Sequence, residues 1–211
     1  MIKNLSLLFC LAVVQAAPVQ AFFYGNRQRG DTIGVRTTDV AALSFLSPGC
    51  SYEKCIGKNS TLHGSFYLNP AFSYRHSYFT GSETDFHVDP GFSFQYRYYY
   101  NFYGRSARGK QTNQNSANYI APSFSILFSK DPVSNSDFRE ADRRAITTAG
   151  AVWGMQRNYR KRFSLDFNVG MGYYFAKGTT QDVNGNLVKV DHKGWEILLG
   201  LELGFWINKK K

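Results

Sequence analysis

The stretch Gly194-Trp-Glu-Ile-Leu-Leu-Gly-Leu-Glu-Leu-Gly-Phe-Trp-Ile-Asn208 decides the fold. Trp195, Ile197, Leu199, Leu201, Leu203, Phe205 and Ile207 share one parity. Glu196, Gly200, Glu202, Gly204 and Asn208 share the other, with Leu198 and Trp206 as its apolar exceptions. A period of two over this length specifies a β-strand, because successive side chains point to opposite faces. One face is apolar with aromatics at both ends, and the other carries carboxylates and glycines. That is the pattern of a lipid-facing strand in a transmembrane β-barrel.

The same alternation recurs upstream. Phe163, Leu165, Phe167, Val169, Met171, Tyr173 and Phe175 oppose Ser164, Asp166, Asn168, Gly170, Gly172 and Tyr174. Further alternating runs lie at 149–158, 119–128, 86–101 and 62–78. These make six strands. Residues 32–56 are less patterned and divide at Ser47-Pro48-Gly49, a turn signal, into Thr32–Phe45 and Cys50–Ile56. The expected fold is therefore all-β: a transmembrane antiparallel up-and-down barrel of about eight strands over residues 32–208. An even strand count leaves both termini on the periplasmic side.

The connections sort by length. Gly57-Lys58-Asn59 and Arg160-Lys161-Arg162 read as tight turns, whereas Asp131–Arg144 and Lys177–Lys193 are long and polar. Asn184-Gly185 in the latter predicts a type I′ hairpin tip. Short turns face the periplasm and long loops the exterior. Gly104–Ala117 departs from this rule, being long but on the periplasmic side.

Met1–Ala21 has the layout of a secretory signal peptide. Lys3 supplies the basic start, Leu5–Val14 the apolar region, and Val19-Gln20-Ala21 the cleavage site. Residues 22–31 then form a short periplasmic arm and 209–211 a basic tail. Export places the mature chain in the outer membrane of a Gram-negative cell envelope. Beyond the N-terminus no segment has the ~20 continuous apolar residues of a membrane helix. Cys50 and Cys55 remain after cleavage. On one strand they would lie about 16 Å apart at ~3.3 Å per residue, too far for a disulfide; only a turn at 48–55 would let them pair.

The net charge of +10 concentrates, on this topology, at the periplasmic rim. Lys54, Lys58, Arg105, Arg108, Lys110, Arg157, Arg160, Lys161, Arg162 and Lys209–Lys211 all fall there. A basic rim matches anionic lipid head groups. No nucleic-acid-binding module is visible, and export argues against such a partner.

Several segments carry a resemblance: Pro48-Gly-Cys-Ser-Tyr-Glu-Lys54, Arg97-Tyr-Tyr-Tyr-Asn-Phe102, Ser116-Ala-Asn-Tyr119, Trp153-Gly-Met-Gln-Arg-Asn-Tyr159 and Leu165–Tyr174. Together they resemble the outer-membrane β-barrel proteins common in Bacteroidota, small relatives in architecture of OmpA/OmpX-type barrels. The resemblance spans most of Gly30–Asn208. It implies fold and location and carries no catalytic signature.

An eight-stranded barrel has an interior just wide enough for side chains to fill it. Arg75, Arg97, Asp89, Asp166, Glu196 and Glu202 are the candidate lumenal polar network, with Gln95 and Asn168 beside them. Arg75 and Arg97 are the candidate partners of Glu196 and Glu202, and glycines would make room for Tyr67, Tyr99 and Tyr174. Trp195, Ile197, Leu199, Leu201, Leu203 and Phe205 are the candidate lipid-facing residues.

No catalytic residue, cofactor or metal is expected. His76 and Ser77 fall on opposite faces, so a lipid-deacylating pair is not assembled locally. His63, His76, His87 and His192 lack metal-ligand spacing. The expected role is a non-enzymatic scaffold in outer-membrane lipid, contacting another envelope protein through loops 131–144 and 177–193. The alternatives are a narrow porin-like channel or a soluble lipocalin-like barrel that binds an apolar ligand.

Overall fold

The computed structural model describes residues 36–77, 81–134, 137–159 and 161–208, with only the backbone at 71–77 and 81–85. The predicted signal peptide, the 22–31 arm, Arg160 and the 209–211 tail lie outside these residues.

The chain is all-β. Eight strands follow one another in an antiparallel ring: β1 (Val40–Ser44), β2 (Gly49–Cys55), β3 (Ser60–Ser77), β4 (Gly81–Tyr98), β5 (Asn118–Ser129), β7 (Arg144–Asn158), β8 (Phe163–Gln181) and β9 (Leu187–Trp206). Each pairs with the next, and β9 closes the ring against β1. A two-residue strand, β6 (Asp137–Phe138), adds to the end of β8 inside the expected loop 131–144. No helix among the described residues is long and apolar enough to cross a membrane.

Strand length varies widely around the ring. β3 and β4 have 18 residues each, β8 has 19 and β9 has 20, whereas β1 has 5 and β2 has 7. Of the expected strand Thr32–Phe45, residues 32–35 lie outside the described ones, 36–39 form no strand, and β1 begins at Val40. Residues just before it bond to side chains instead of a ladder. Thr38 N–H donates to Asn115 Oδ1 at 2.8 Å, Cys55 N–H donates to the Asp39 carboxylate at 2.8 Å, and Lys54 Nζ donates to Asp39 at 2.8 Å. Asp39 is accordingly held below the usual aspartate range, first by the Lys54 hydrogen bond and then by the Cys55 amide.

The seam between β1 and β9 is short. Only Ala42–Trp206, Leu43–Phe205 and Ser44–Gly204 pair, and Phe45 N–H donates to Leu203 O at 2.9 Å as the chain turns away. Above Leu203, β9 has no second neighbour among the described residues.

Two further expectations are corrected. Lys177–Lys193 is not an open loop: β8 and β9 continue pairing to Gln181–Leu187. Its tip is not type I′ either. Gly185 N–H donates to Asp182 O at 3.0 Å, and only Gly185 has a positive φ, of 84°. The Asp182 carboxylate accepts the amides of Asn184 and Asn186, which favours this longer turn over 182–186. The cysteines lie on the strand Gly49–Cys55 and are free thiols.

The long connection Gly104–Ala117 folds over one end of the ring. A short helix, α1 (Phe102–Ala107), and a tight turn at Asn113–Asn115 carry Phe102 and Asn115 into full burial. Phe102 packs edge-on to Tyr99, with ring centroids 5.9 Å apart. Asn115 donates to Thr38 O and accepts from Thr38 N, pinning the connection to the chain entering β1. That explains its length: it closes the end.

Candidate functional site

The strands place apolar side chains outward and polar ones inward. On β9, Trp195, Ile197 and Leu199 are 72%, 70% and 72% exposed; Leu201 and Phe205 are also exposed and Leu203 is half-buried. Phe86, Phe92, Phe94, Ile120, Phe124 and Met171 continue this apolar outer wall. The inward side holds Glu53, Arg97, Asp166, Gln95, Gln156 and His63, all buried.

At the end covered by α1 the interior is filled. Arg97 Nη1 donates to Asp166 Oδ2 at 2.7 Å, and its Nε donates to Gln95 Oε1 at 2.8 Å. The guanidinium lies 4.3 Å from the centre of the Tyr119 ring, a cation–π contact in a desolvated place. Tyr119 Oη donates to Asp166 Oδ1 at 2.7 Å. Glu53 accepts from Thr61 Oγ1 and Tyr99 Oη, both at 2.6 Å, and from Gln156 Nε2 at 3.2 Å. The residual space, lined by Glu53, His63, Arg97, Gln156, Asp166 and Glu202, is about 20 Å³. That is room for roughly one water. Buried polar groups are tolerated because they bond to one another, so this end is a closed polar plug.

The six candidate network residues separate. Arg97 and Asp166 are bonded, and Glu202 faces Asp166 in register across β8–β9 and lines the same small space. Glu196 stands apart and accepts from Thr148 Oγ1 at 2.7 Å. Asp89 belongs to the opposite end, where His87 Nε2 lies 3.4 Å from Asp89 and 3.0 Å from Asp131, and Arg143 Nε lies 3.6 Å from Asp89. Arg143 offsets part of the negative charge of this His87–Asp89–Asp131 group. The side chains of Arg75 and His76 lie outside the described ones. Arg97 therefore bonds Asp166, not the expected Glu196 or Glu202.

Tyrosines do sit over glycines, though not all the expected ones. A Cβ on Gly91 would lie 2.5 Å from the Tyr67 ring, and one on Gly194 3.2 Å from Tyr174. For Tyr99 no glycine plays this part among the described residues. Gly154 instead lies beneath Tyr119, whose ring carbon would be 2.1 Å from a Cβ there.

The other half of the interior is open, which corrects the expectation of a fully plugged lumen. A cavity of about 360 Å³ lies there. Its cause is a row of small hydroxyl residues brought level by the strand registers: Ser65–Ser93, Ser93–Ser125 and Ser125–Thr148 pair across successive strands. Ser65 and Ser93 hydroxyls are 2.8 Å apart. Where the plug has Arg97, Tyr99 and Tyr119, this level has serines. Sequence reasoning missed the row because each serine is unremarkable on its own strand.

Beyond this cavity, the loop 131–144 is tied to the extended β8–β9 hairpin. Glu140 accepts from Lys189 Nζ and Thr179 Oγ1, both at 2.8 Å, and lies 3.3 Å from Arg144 Nη1. The Lys189 hydrogen bond, then that of Thr179, holds Glu140 below the usual glutamate range. His192 Nε2 lies 3.0 Å from the fully buried Asp137 carboxylate of β6.

No curated protein and no solved structure matches the chain. A family model does, over residues 8–184, and it describes a protein of unknown function, DUF3575. Because that match takes in most of the sequence, the chain belongs to the DUF3575 family.

Proposed function

We propose that this protein is an integral outer-membrane scaffold without a catalytic role. Its eight-stranded ring spans the bilayer, and its loop 131–144 and the β8–β9 hairpin over 177–193 meet an envelope partner. The carrying observation is the inversion of the wall: leucines, isoleucine and aromatics exposed outside, and Arg97, Glu53 and Asp166 buried inside. In water that arrangement exposes apolar surface far beyond the patches normal for a soluble monomer. In lipid it is the expected one. The resemblance to Bacteroidota-type outer-membrane barrels points the same way.

The described cationic residues Lys54, Lys58, Arg105, Arg108, Lys110, Arg157, Lys161 and Arg162 belong to the end of the ring that carries α1. That end is read as the periplasmic one, its charges meeting anionic head groups. The plug around Arg97 and Glu53 supports a closed scaffold over a channel. The polar interior counts against a lipocalin-like site for an apolar ligand. Envelope fractionation with heat-modifiable migration on a denaturing gel tests the reading. Recovery in the membrane fraction with a heat-dependent shift is expected; a soluble periplasmic product overturns it.

A further inference from the structure

The 360 Å³ cavity is bordered by seven consecutive residues of β9, Glu196 to Glu202. A strand inside a closed wall offers a cavity only every second residue. Here Ile197, Leu199 and Leu201, which point outward, border it together with Leu198, Gly200 and Glu202, which point inward. Only the edge of a strand can do this. The cavity therefore opens sideways, through the wall, along the unpaired side of β9.

Strand lengths explain the opening. A tilted strand needs about 9–11 residues to cross a bilayer, and β1 and β2 have 5 and 7. Their hairpin ends at the turn 45–48, part-way up, while β3 and β9 on either side continue past it. Unpaired backbone groups facing hydrocarbon each cost several kcal/mol, so a purely apolar occupant leaves this edge unsatisfied. An occupant with a polar head and an apolar tail suits both surfaces.

The head-group chemistry follows from the lining. It contains hydroxyls from Ser65, Ser93, Ser125 and Thr148, the carboxylates of Glu196 and Glu202, and, among the described residues, no lysine or arginine. An anionic head would meet like charge in a confined space. We infer that the opening between β9 and β3 admits a single-chain amphiphile with a cationic, amine-type head. The head sits among the serines and Glu196, and the chain lies outside against Ile197 and Leu199. This rests on the lipid-facing reading of the wall.

The test uses the full chain folded in a neutral detergent, titrated with dodecyltrimethylammonium or dodecyl sulfate and followed by native mass spectrometry. One retained dodecyltrimethylammonium is expected, bound at least about tenfold more tightly than dodecyl sulfate. Glu196→Gln should erase most of that preference. Ser125→Leu, which fills the cavity, should reduce binding of the cation about tenfold. Both variants should keep heat-modifiable migration. Equal affinity for the two head groups, or full binding in both variants, overturns the inference while leaving an integral scaffold standing. Cation preference in a protein recovered as soluble overturns the scaffold reading alone.

Discussion

Arg97 and Asp166 are joined at 2.7 Å in the centre of the plug, and Asp166 directly faces Glu202 across the β8–β9 ladder. Two carboxylates opposite each other repel. With Glu53 close by, three acids surround this one guanidinium. Arg97 is thus the cation on which the plug depends.

Arg97→Met should destabilise the folded ring by about 3–5 kcal/mol, because it leaves buried carboxylates uncompensated. Urea titration read by the heat-modifiable band measures it. Arg97→Met with Asp166→Asn should cost less than the sum of the single changes, since the two share one interaction. Additive losses would contradict the pairing described here.

Gly154 and Gly64 separate the effect of close approach from that of glycine itself. A Cβ at 154 strikes the Tyr119 ring at 2.1 Å, while one at 64 meets nothing within 4 Å. Gly154→Ala should lose about 1–3 kcal/mol by overpacking. Gly64→Ala should be neutral or slightly stabilising, since glycine is the weaker strand former. The same urea titration ranks them.

The outer wall is tested by a charge. Met171, 59% exposed on β8, faces outward and pairs in register with Ile197 of β9. Met171→Lys should cost about 2–4 kcal/mol if it meets the bilayer middle. Folding yield into phosphatidylcholine vesicles reports this. An unchanged yield would count against lipid contact at that height.

Acid should loosen the outer loops before the ring. The folded pKa of Glu140 is lowered, so its contribution is fully present above the ordinary glutamate value. That contribution is lost as pH falls through the lower, folded value. Limited proteolysis within 139–143 should therefore accelerate only below the ordinary glutamate range. Glu140→Gln should show the faster cleavage already at neutral pH.

Parity was legible in the sequence; height was not. Alternation in Gly194–Asn208 told which side chains of β9 point outward, and the structure places Trp195, Ile197 and Leu199 there. Asp89 and Arg97 share a strand and a parity, so both looked like network members. Eight residues separate them, about 26 Å at ~3.3 Å per residue, and they serve opposite ends. The serine row has the same origin: cross-strand register, set by turns and ladder bonds, brings Ser65, Ser93 and Ser125 level. The start of β1 was hidden because Thr37 and Asp39 spend their polar groups on neighbours outside any ladder.

The three-pair seam has a kinetic meaning. β8 and β9 meet through local contacts along a hairpin, from Gln181–Leu187 down to Phe163–Phe205. Leu43 and Phe205 must instead find each other across almost the whole chain for a handful of ladder bonds. Loop-closure entropy makes such a pairing late and slow, and the small number of bonds makes it the first to part. In amide hydrogen exchange, Leu43 and Phe45 should therefore exchange well before Phe167 and Val169. The ring has a built-in clasp, and its place in the sequence is where the two ends of the sheet meet.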